Sequence, residues 1–526
     1  MLVYWLLAQG HFMLIRTFDN HKTDMQRLRV IILQTILIFV FPLMLLAQRN
    51  DGAVIPGDFA DPSVIRVNDR YFAVGTSSEW APHFPIYQSV DLKNWQQTGY
   101  VFDKTPEWAS GSFWAPEYYK IKDTYYIYYT ARRKKDNTSF IGVATSSYPD
   151  RGFVDHGVII AFGKEAIDAF VFRDEGGLYI TFKAYGLDNR PIEILGYKLS
   201  ADGLKLEGEP FSLIKDEQHM GMEGQSILKK GGYYYLFFSS GSCCGPKCGY
   251  DVRVTRAKKI TGPYEVYSGN PILSENSKWK CMGHGTFVKG PKDADFYLHH
   301  AYNKESTVLT GRQGLISELE WPRENGWPSF KTKRILGDTV PDIREVFRSP
   351  SIAKFWQWDF RNSIPSIKQQ KGILYLSGKV KEDNQTGIVL TARPVSGSFV
   401  MTTTVRNHNA AIKGLTFYGD ANMAIGIGTQ NNNIIIWQVK DNKFSTLAKS
   451  LTNHKLPIQL RLELQTDKKC KFYYRQGKTS WKPLVSNKAI DVDLLPQWDR
   501  SPRAGLHFKG DKTQDAQFSD FIIANR

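Results

Sequence analysis

Hydrophobic and aromatic positions repeat in five segments between residues 61 and 302. Each segment reads as a short strand, a tight polar turn and a second strand rich in Tyr and Phe, which is the pattern of a β-hairpin. The five segments are DPSVIRVNDRYFAVGT from Asp61, APEYYKIKDTYYIYYT from Ala115, DAFVFRDEGGLYITFK from Asp168, EGQSILKKGGYYYLFFSS from Glu223 and HGTFVKGPKDADFYLHHAY from His284. Their even spacing predicts five structural copies of one unit.

A period of about 50 residues with several strands per unit is typical of propeller blades, because each small sheet buries its faces only against its neighbours. The sequence therefore predicts an all-β chain with a five-bladed β-propeller over residues 48–340. A β-sandwich with coincidental hairpins would not explain the even spacing.

The repeat stops after Trp327 and Pro328, and new strand patterns follow a linker-like stretch. These patterns include GILYLSG, GSFVMTTTVRN, AIKGLTFYGD, MAIGIGT and NIIIWQV, separated by polar turns. They show no helical periodicity. We expect a separate β-sandwich or jelly-roll domain over residues 345–526.

The first 47 residues have a different pattern. The stretch RLRVIILQTILIFVFPLMLLAQ from Arg27 has a basic start, an apolar centre and Ala47 before a polar sequence, as in a secretory signal peptide. We interpret residues 1–47 as a targeting segment, with translation starting either at Met1 or at Met25. Export to the periplasm or the cell exterior follows, with no stable membrane span after cleavage; a retained anchor is the alternative.

The composition excludes some partners. The formal charge is +16 and 13% of the residues are aromatic, but the basic residues are scattered and no nucleic-acid recognition motif is present. No nucleic-acid partner is expected, whereas an acidic polysaccharide remains compatible with the charge.

The five cysteines do not alter the predicted fold. Four of them lie at positions 243, 244, 248 and 281, and the fifth is Cys470. Pairing among the first four is expected in an oxidising compartment. A zinc site is the alternative, although the CC-x3-C spacing differs from paired CxxC ligands.

Three acids and a histidine share the first position of the aligned repeats. Equivalent positions on the innermost strands of a propeller converge on the central channel, so Asp61, Asp168, Glu223 and His284 are expected to meet. Each acid taken singly is also compatible with an ordinary turn residue. Together they favour chemistry, because clustered buried carboxylates are costly.

Such a cluster suits the hydrolysis of a glycosidic bond. That reaction needs one protonated acid for the leaving oxygen and one ionised carboxylate to activate water. Repulsion between neighbouring carboxylates keeps one of them protonated while another stays ionised.

The chain resembles glycoside hydrolase family 43 over residues 57–330. The resemblance lies in GDFADPSVI, GSFWAPEYYKIKDTYYIYYT, AIDAFVFRDEGGLYITF, MEGQSILKKGGYYYLFFS, GHGTFVK and the Gly311–Arg312 region. It implies an inverting reaction with Asp61 as general base, Asp168 as modulator of the acid's pKa and Glu223 as general acid. The C-terminal part, particularly FWQWDF and AGLHFKGD, resembles the concanavalin A-like sandwich of family members.

The same resemblance implies further site residues. Arg312 is expected to contact the sugar. Family members often hold a calcium or another ion in the channel near the histidine equivalent to His284, but MGHGTF departs from the family's usual motif. Trp80, Phe113 and Trp114 offer flat walls for a pentose ring, or else pack between blades. No other cofactor is expected.

The predicted activity is release of arabinose or xylose units from plant cell-wall polysaccharide, as an α-L-arabinofuranosidase or β-xylosidase. An endo-acting arabinanase and a non-catalytic carbohydrate-binding propeller are the alternatives. A retaining fructosidase is disfavoured because GDFADPSV lacks the Trp-Met-Asn lead and the Asn-Gly tail of that family's motif.

Overall fold

The strand patterns of the sequence fold into an all-β protein. The computed structural model describes residues 52–526 except 307–308, 323–325, 333–335, 338–341, 382, 453–456 and 486–489. The predicted targeting segment, residues 1–47, lies outside the described residues. The described part contains no α-helix, and none of its elements is a helix that is long and apolar enough to cross a membrane.

Five four-stranded antiparallel sheets occupy residues 63–330. Sheet 1 contains β1 (Ser63–Val67), β2 (Arg70–Val74), β4 (His83–Ser89) and β5 (Gln96–Phe102), with β3 (Trp80–Ala81) outside it. Sheet 2 contains β6 (Ala109–Ile121), β7 (Thr124–Arg133), β8 (Ser139–Ser146) and β9 (Val154–Ile160). Sheet 3 contains β10 (Ala166–Asp174), β11 (Gly177–Ala184), β12 (Glu193–Leu199) and β13 (Leu206–Lys215).

The last two sheets continue this design. Sheet 4 contains β14 (Glu223–Lys230), β15 (Tyr233–Ser240), β16 (Asp251–Ala257) and β17 (Glu265–Val266). Sheet 5 contains β18 (Trp279–Lys289), β19 (Asp295–Asn303), β20 (Arg312–Glu320) and β21 (Ser329–Phe330). A short 3-10 helix, Pro291–Asp293, lies between β18 and β19.

Two-residue turns join the first two strands in sheets 1 to 4. These turns are the predicted polar dipeptides at 68–69, 122–123, 175–176 and 231–232. Asn68 and Lys122 adopt φ angles of 56° and 51°, as two-residue hairpin turns require. The predicted hairpins are therefore confirmed, and the turns set the register of the paired strands.

The first strands of the five sheets form a closed ring. Each contacts the first strand of the next sheet, in the order β1, β6, β10, β14, β18 and back to β1. An apolar cluster fills the space between each pair of neighbouring sheets. Each sheet is therefore stabilised from both sides, and the ring brings the starts of all five sheets together.

Residues 343–525 form two larger sheets. Strand β23 (Trp358–Asp359) lies outside these two sheets. Their strands are β22 (Ile343–Glu345), β24 (Ser363–Gln370), β25 (Ile373–Val380), β26 (Ile388–Ala392), β27 (Phe399–Val405), β28 (Ile412–Asp420), β29 (Met423–Gln430), β30 (Asn433–Lys440), β31 (Lys443–Leu451), β32 (Ile458–Leu464), β33 (Lys469–Gln476), β34 (Lys482–Pro483), β35 (Ile490–Asp491), β36 (Arg503–Lys509) and β37 (Ala516–Asn525). The nine-stranded sheet has the order β24-β25-β37-β27-β32-β33-β34, with β22 on β37 and β35 on β33. The six-stranded sheet has the order β26-β36-β28-β29-β30-β31.

A single apolar core joins these two sheets. Leu415 and Ile427 of the six-stranded sheet belong to the same buried cluster as Met401 and Leu460 of the nine-stranded sheet. Alternate residues of each strand supply this core, as expected when two sheets pack face to face.

Strand β3 ties the first five sheets to the last two. It pairs with β23, with Trp80 opposite Asp359. The Trp80 ring packs edge-on against Tyr418 with centroids 5.8 Å apart, in an apolar cluster that includes Trp437. The described residues from 52 to 526 accordingly form one compact unit.

We expect the Trp80→Ala substitution to destabilise the protein by about 3–5 kcal/mol, the usual cost of removing a buried large aromatic side chain. Trp80 is 1% exposed, so its loss leaves a cavity that water or side chains fill poorly. Urea unfolding followed by Trp fluorescence and circular dichroism measures the change. Leu451→Ala, at a position 80% exposed, is the control and should stay within about 0.5 kcal/mol of the parent; an equally small effect for Trp80→Ala would contradict the packing argument.

Candidate active site

A left-handed residue interrupts the start of each of the five sheets. These residues and their φ angles are Asp61 (50°), Ala115 (44°), Asp168 (60°), Gly224 (60°) and His284 (41°). In sheets 2 to 5 the strand register shifts at this residue, which is the mark of a β-bulge. The left-handed conformation costs a non-glycine residue about 1–2 kcal/mol, and such strain is concentrated at functional sites.

The positions of the bulges show that the repeat alignment made from the sequence is wrong at one residue, Glu223. Backbone conformation aligns Gly224 with Asp61 and Asp168, and Glu223 stands one residue earlier. Glycine is needed here because a Cβ at 224 would lie 2.6 Å from Cγ of His284. The Glu223 side chain therefore starts from a different backbone position than the other two acids.

Asp61 is an ionised carboxylate held by several donors. Its Oδ1 accepts a hydrogen bond from Arg312 Nη1 at 3.0 Å, and its Oδ2 accepts one from the Thr76 hydroxyl at 2.7 Å. Its backbone N–H donates to Nδ1 of His300 at 3.1 Å. Burial raises the pKa of Asp61, but the Arg312 guanidinium and then His284 outweigh burial and hold this pKa well below its ordinary value.

Asp168 is in the opposite electrostatic situation. Its Oδ2 accepts a hydrogen bond from the Gly224 N–H at 3.1 Å, and its own N–H donates to the Thr130 hydroxyl at 3.2 Å. Within the part of the chain that the structure describes, no Lys or Arg forms a short ion pair with it, and His284 Nδ1 is 3.9 Å from Oδ2. Burial raises the pKa of Asp168 to about 6, with a further contribution from the neighbouring Glu223 carboxylate.

Glu223 has a hydrogen-bond donor on each carboxylate oxygen. Lys183 Nζ donates to Oε2 at 2.7 Å, and the Tyr250 hydroxyl donates to Oε1 at 2.9 Å. Burial raises the pKa of Glu223, but the Lys183 ammonium outweighs burial and lowers it below the ordinary value. Within the acid cluster, the carboxyl group with the raised pKa is therefore that of Asp168 and not that of Glu223. The reason is that the Lys183 ammonium pairs with Glu223.

His284 joins the two aspartates. Its Nδ1 lies 3.4 Å from Asp61 Oδ1 and 3.9 Å from Asp168 Oδ2. The four residues predicted to converge are thus brought together. Asp61 and Asp168 both face the His284 ring, and Glu223 adjoins them through Gly224.

A calcium ion near His284 would take six to eight oxygen ligands, which include backbone carbonyls and waters as well as carboxylates. Within the described ranges, no group of three or more His, Cys, Asp or Glu side chains is arranged to hold a metal ion. We therefore derive no step through this ion.

The predicted aromatic wall divides into core and surface residues. Phe113 is fully buried and stacks on His83 with centroids 3.9 Å apart. Trp80 is buried against the six-stranded sheet. These two side chains pack between sheets, the alternative weighed for them from the sequence. Trp114 is half-buried, and its Nε1 donates to Asp499 Oδ2 at 3.1 Å.

Arg312, the expected sugar contact, has two partners within the protein. Its Nη1 binds Asp61, and its Nη2 donates to the backbone oxygen of Asp499 at 3.0 Å. The side chain is 4% exposed. The guanidinium charge therefore stabilises the Asp61 carboxylate, and the Arg312 side chain links this carboxylate to the C-terminal sheets.

Two sets of residues near the carboxylates were missed from the sequence. The first is a polar residue at the equivalent position near the end of the second strand of each repeat: Thr76, Thr130, Lys183, Ser239 and His300. The repeat alignment contained this pattern. The second is Trp498 and Asp499, which follow no repeat; the Trp498 ring packs edge-on against Trp114 with centroids 5.9 Å apart.

Four of the five cysteines lie beside this site. Cys243 pairs with Cys244 and Cys248 pairs with Cys281, whereas Cys470 is buried and unpaired. Cys248 and Cys281 pack with Tyr250 in one cluster. Pairing among the first four cysteines is as expected, and it removes their thiolates as zinc ligands.

Replacing Asp168 with Asn should stabilise the protein at pH 7.5 but not at pH 4. Between these values the unfolded carboxyl has lost its proton, whereas the folded one keeps it until about pH 6 because burial disfavours the charge. The folded state of the parent is therefore destabilised progressively as the pH rises through this window, and Asn avoids the cost. We expect a gain of about 1–3 kcal/mol at pH 7.5, from about 1.4 kcal/mol per pKa unit.

Urea unfolding at both pH values measures this difference. Asp123→Asn, at an exposed position, is the control and should change little at either pH. A gain for Asp168→Asn that is equal at pH 4 and pH 7.5 would show that charge burial is not its cause.

Comparisons with known proteins agree with this geometry. Residues 51–328 match the family described as glycosyl hydrolases family 43. The extracellular exo-alpha-(1->5)-L-arabinofuranosidase ArbA of Cellvibrio japonicus is 30% identical over 318 residues, covering 53% of this chain and 88% of that protein. The extracellular endo-alpha-(1->5)-L-arabinanase 1 of Bacillus subtilis is 29% identical over 293 residues, covering 51% and 87%.

Among solved structures, the xylan beta-1,4-xylosidase of Bacillus halodurans superposes with a TM-score of 0.77 at 20% identity, covering 90% of this chain and 99% of that one. This likeness extends the shared fold to the C-terminal sheets. The family match covers more than half of the chain and contains all three acids. The chain belongs to glycosyl hydrolase family 43 and is a glycoside hydrolase.

Proposed function

We propose that this enzyme releases arabinose or xylose units from plant cell-wall polysaccharide with inversion of configuration. Asp61 is the general base, Asp168 modulates the acid and Glu223 is the general acid. In the proposed architecture, the five small sheets are the blades of a five-bladed β-propeller over residues 48–340. The two larger sheets are the layers of a concanavalin A-like sandwich over residues 345–526.

The observation that carries the proposal is the opposite electrostatic tuning of neighbouring carboxylates. Arg312 keeps Asp61 ionised, as a base that activates water must be. Burial and the charge of Glu223 keep a proton on Asp168 up to about pH 6. Below about pH 6 the two aspartates therefore have opposite protonation states, which suits a base and a modulator. The role of Glu223 as the acid rests on the resemblance of its motif to the family.

In the proposed reaction a water molecule attacks the anomeric carbon while Asp61 takes its proton. The glycosidic C–O bond breaks, its electron pair stays on the leaving oxygen, and Glu223 gives that oxygen a proton. Two carboxyl groups acting through an intervening water give inversion. Asp168 accepts a hydrogen bond from the N–H of Gly224, the residue that follows Glu223. It thereby fixes the backbone next to Glu223, and its protonation state sets the charge beside the Glu223 carboxyl group.

Arabinofuranosides are the first substrates to test, because both curated relatives described above are named for action on α-1,5-linked arabinan. Xylosides are the second candidates. Both sugars are pentoses with similar faces, so both substrate types are tested.

We infer exo action from the position of the segment that contains Trp498 and Asp499. Asp499 binds both Arg312, which holds the base, and Trp114. Trp498, 57% exposed, extends the wall that starts at Trp114. A segment of the C-terminal sheets this close to the carboxylates favours a closed pocket for a chain end over an open cleft.

Export is part of the proposal. It is supported by the signal-like segment before residue 48 and by the word extracellular in the names of both curated relatives. Localisation by fractionation of cells expressing the full chain tests it.

Glu223→Gln should reduce kcat strongly on natural oligosaccharides and only weakly on nitrophenyl glycosides, because nitrophenolate leaves without protonation. Asp61→Asn should reduce both, since water activation is lost in each case. General acid–base groups contribute about 100- to 10,000-fold. Steady-state kinetics on the two substrate types measures the split, and equal losses for Glu223→Gln on both would remove it from the role of acid.

Proton NMR of the first product on α-L-arabinofuranosides should show the opposite anomer from the substrate. Early products from linear arabinan should be arabinose alone. Initial release of the same anomer would make Asp61 a nucleophile, and early release of oligosaccharides would favour the endo-arabinanase alternative.

A further inference from the structure

A ring of hydrogen bonds connects neighbouring sheets beneath the carboxylates. In four cases the side chain at the end of a second strand accepts the N–H of the bulged residue in the next sheet. These bonds are Ala115 N–H to Thr76 Oγ1 (2.9 Å), Asp168 N–H to Thr130 Oγ1 (3.2 Å), His284 N–H to Ser239 Oγ (2.8 Å) and Asp61 N–H to His300 Nδ1 (3.1 Å). The equivalent residue of sheet 3 is Lys183, which pairs with Ile167 across the strands.

Lys183 breaks this pattern because an ammonium group has no acceptor. It cannot receive the N–H of Gly224, and that N–H donates to Asp168 Oδ2 instead. The Lys183 ammonium binds Glu223 Oε2 at 2.7 Å. A single exception in the ring thus gives Glu223 a cation and Asp168 a backbone donor.

The surroundings of Lys183 are carboxylates. Its side chain is 11% exposed, and Glu165 Oε1, on a side chain 12% exposed, lies 3.9 Å from Nζ. Asp168, Glu165 and Glu223 all raise the pKa of Lys183, against the effect of burial. The ammonium therefore stays charged and has two alternative partners, one of which is Glu223.

We propose that Lys183 is the positioning residue of the general acid: its ammonium stabilises the carboxylate that Glu223 becomes as it gives up its proton, and Glu165 receives the ammonium while Glu223 is protonated. This inference rests on the proposed role of Glu223. When the O–H bond of Glu223 breaks, the proton goes to the glycosidic oxygen and the electron pair stays on the carboxylate. That new charge forms next to Nζ, so the ion pair is stronger in the transition state than in the ground state, which is the condition for catalysis.

The same ion pair opposes protonation of Glu223 in the free enzyme. Burial raises the pKa of Glu223, whereas Lys183, His284 and the Tyr250 hydroxyl lower it. Glu165 counteracts Lys183 by sharing its charge, and Arg132 faces Glu165 from sheet 2. Replacing Lys183 and replacing Glu165 with neutral residues should therefore move the pKa of Glu223 in opposite directions.

Lys183→Thr installs the residue that sheets 1 and 2 have at this position, so the hydrogen-bond ring can close. Without the ammonium the pKa of Glu223 rises, and the alkaline limb of kcat/KM should move up by about one pH unit or more. On oligosaccharides kcat should fall about 10- to 100-fold, with a smaller loss on nitrophenyl glycosides. Lys183→Arg should recover most of the activity.

Glu165→Gln removes the alternative partner and a negative charge. Lys183 then stays on Glu223, and the alkaline limb should move to lower pH. Lys198→Met is the matched control: this lysine of β12 pairs with Glu207 at 3.7 Å on the exposed face of the same sheet. It should leave both limbs and kcat unchanged.

The outcomes are separable. This inference would be overturned if the alkaline limb stayed in place in both Lys183→Thr and Glu165→Gln. If Glu223→Gln kept its leaving-group selectivity at the same time, the proposed function would remain intact. Loss of that selectivity in Glu223→Gln would overturn the proposed function itself. If Lys183→Thr does not fold, the downward shift in Glu165→Gln and the recovery in Lys183→Arg still decide the matter.

Discussion

The cost of keeping carboxylates out of water shapes the centre of this protein. An unpaired buried charge is strongly unfavourable, and a buried pair is tolerated only when its remaining hydrogen-bond sites are filled. Asp61 meets this condition with Arg312 and Thr76, and Glu223 meets it with Lys183 and Tyr250. Among the described residues Asp168 has no such short ion pair, and it retains its proton up to about pH 6 instead. The three acids differ because their partners differ.

The bulges supply the geometry that these partners need. A regular strand would send successive side chains to opposite faces of its sheet. The left-handed residue at the start of each sheet changes that direction, and the ring of side chains at the ends of the second strands takes up the N–H groups that the bulges release from regular pairing. Strain in the backbone is thus offset by hydrogen bonds between sheets, and the apolar clusters between sheets keep the ring closed.

The C-terminal sheets are joined to the same network. Asp58 Oδ1 accepts the N–H of Arg312 at 3.2 Å, and Asp58 Oδ2 accepts the N–H of Ser501 at 3.1 Å. Arg312 also binds Asp499. Arg312, which keeps Asp61 ionised, is therefore positioned by both parts of the chain, and a change in the contact between them reaches the Asp61 carboxylate through one side chain.

Much of this architecture follows from sequence pattern alone. Alternation and polar turns determined the hairpins and their limits, because strand period and turn chemistry are local properties. The repeat also determined that Asp61, Asp168 and His284 would meet, since equivalent positions of similar units converge. The local sequence pattern did not show that Glu223 lies one residue before the position equivalent to Asp61 and Asp168. This offset is set by the bulge, which depends on the packing of Gly224 against His284. Tertiary structure alone decided that Trp80 and Phe113 are core residues, that Trp498 and Asp499 reach the site, and that Lys183 rather than a neighbouring acid sets the charge of Glu223. Each of these depends on contacts between distant segments, whose distances and burial no local pattern of residues contains.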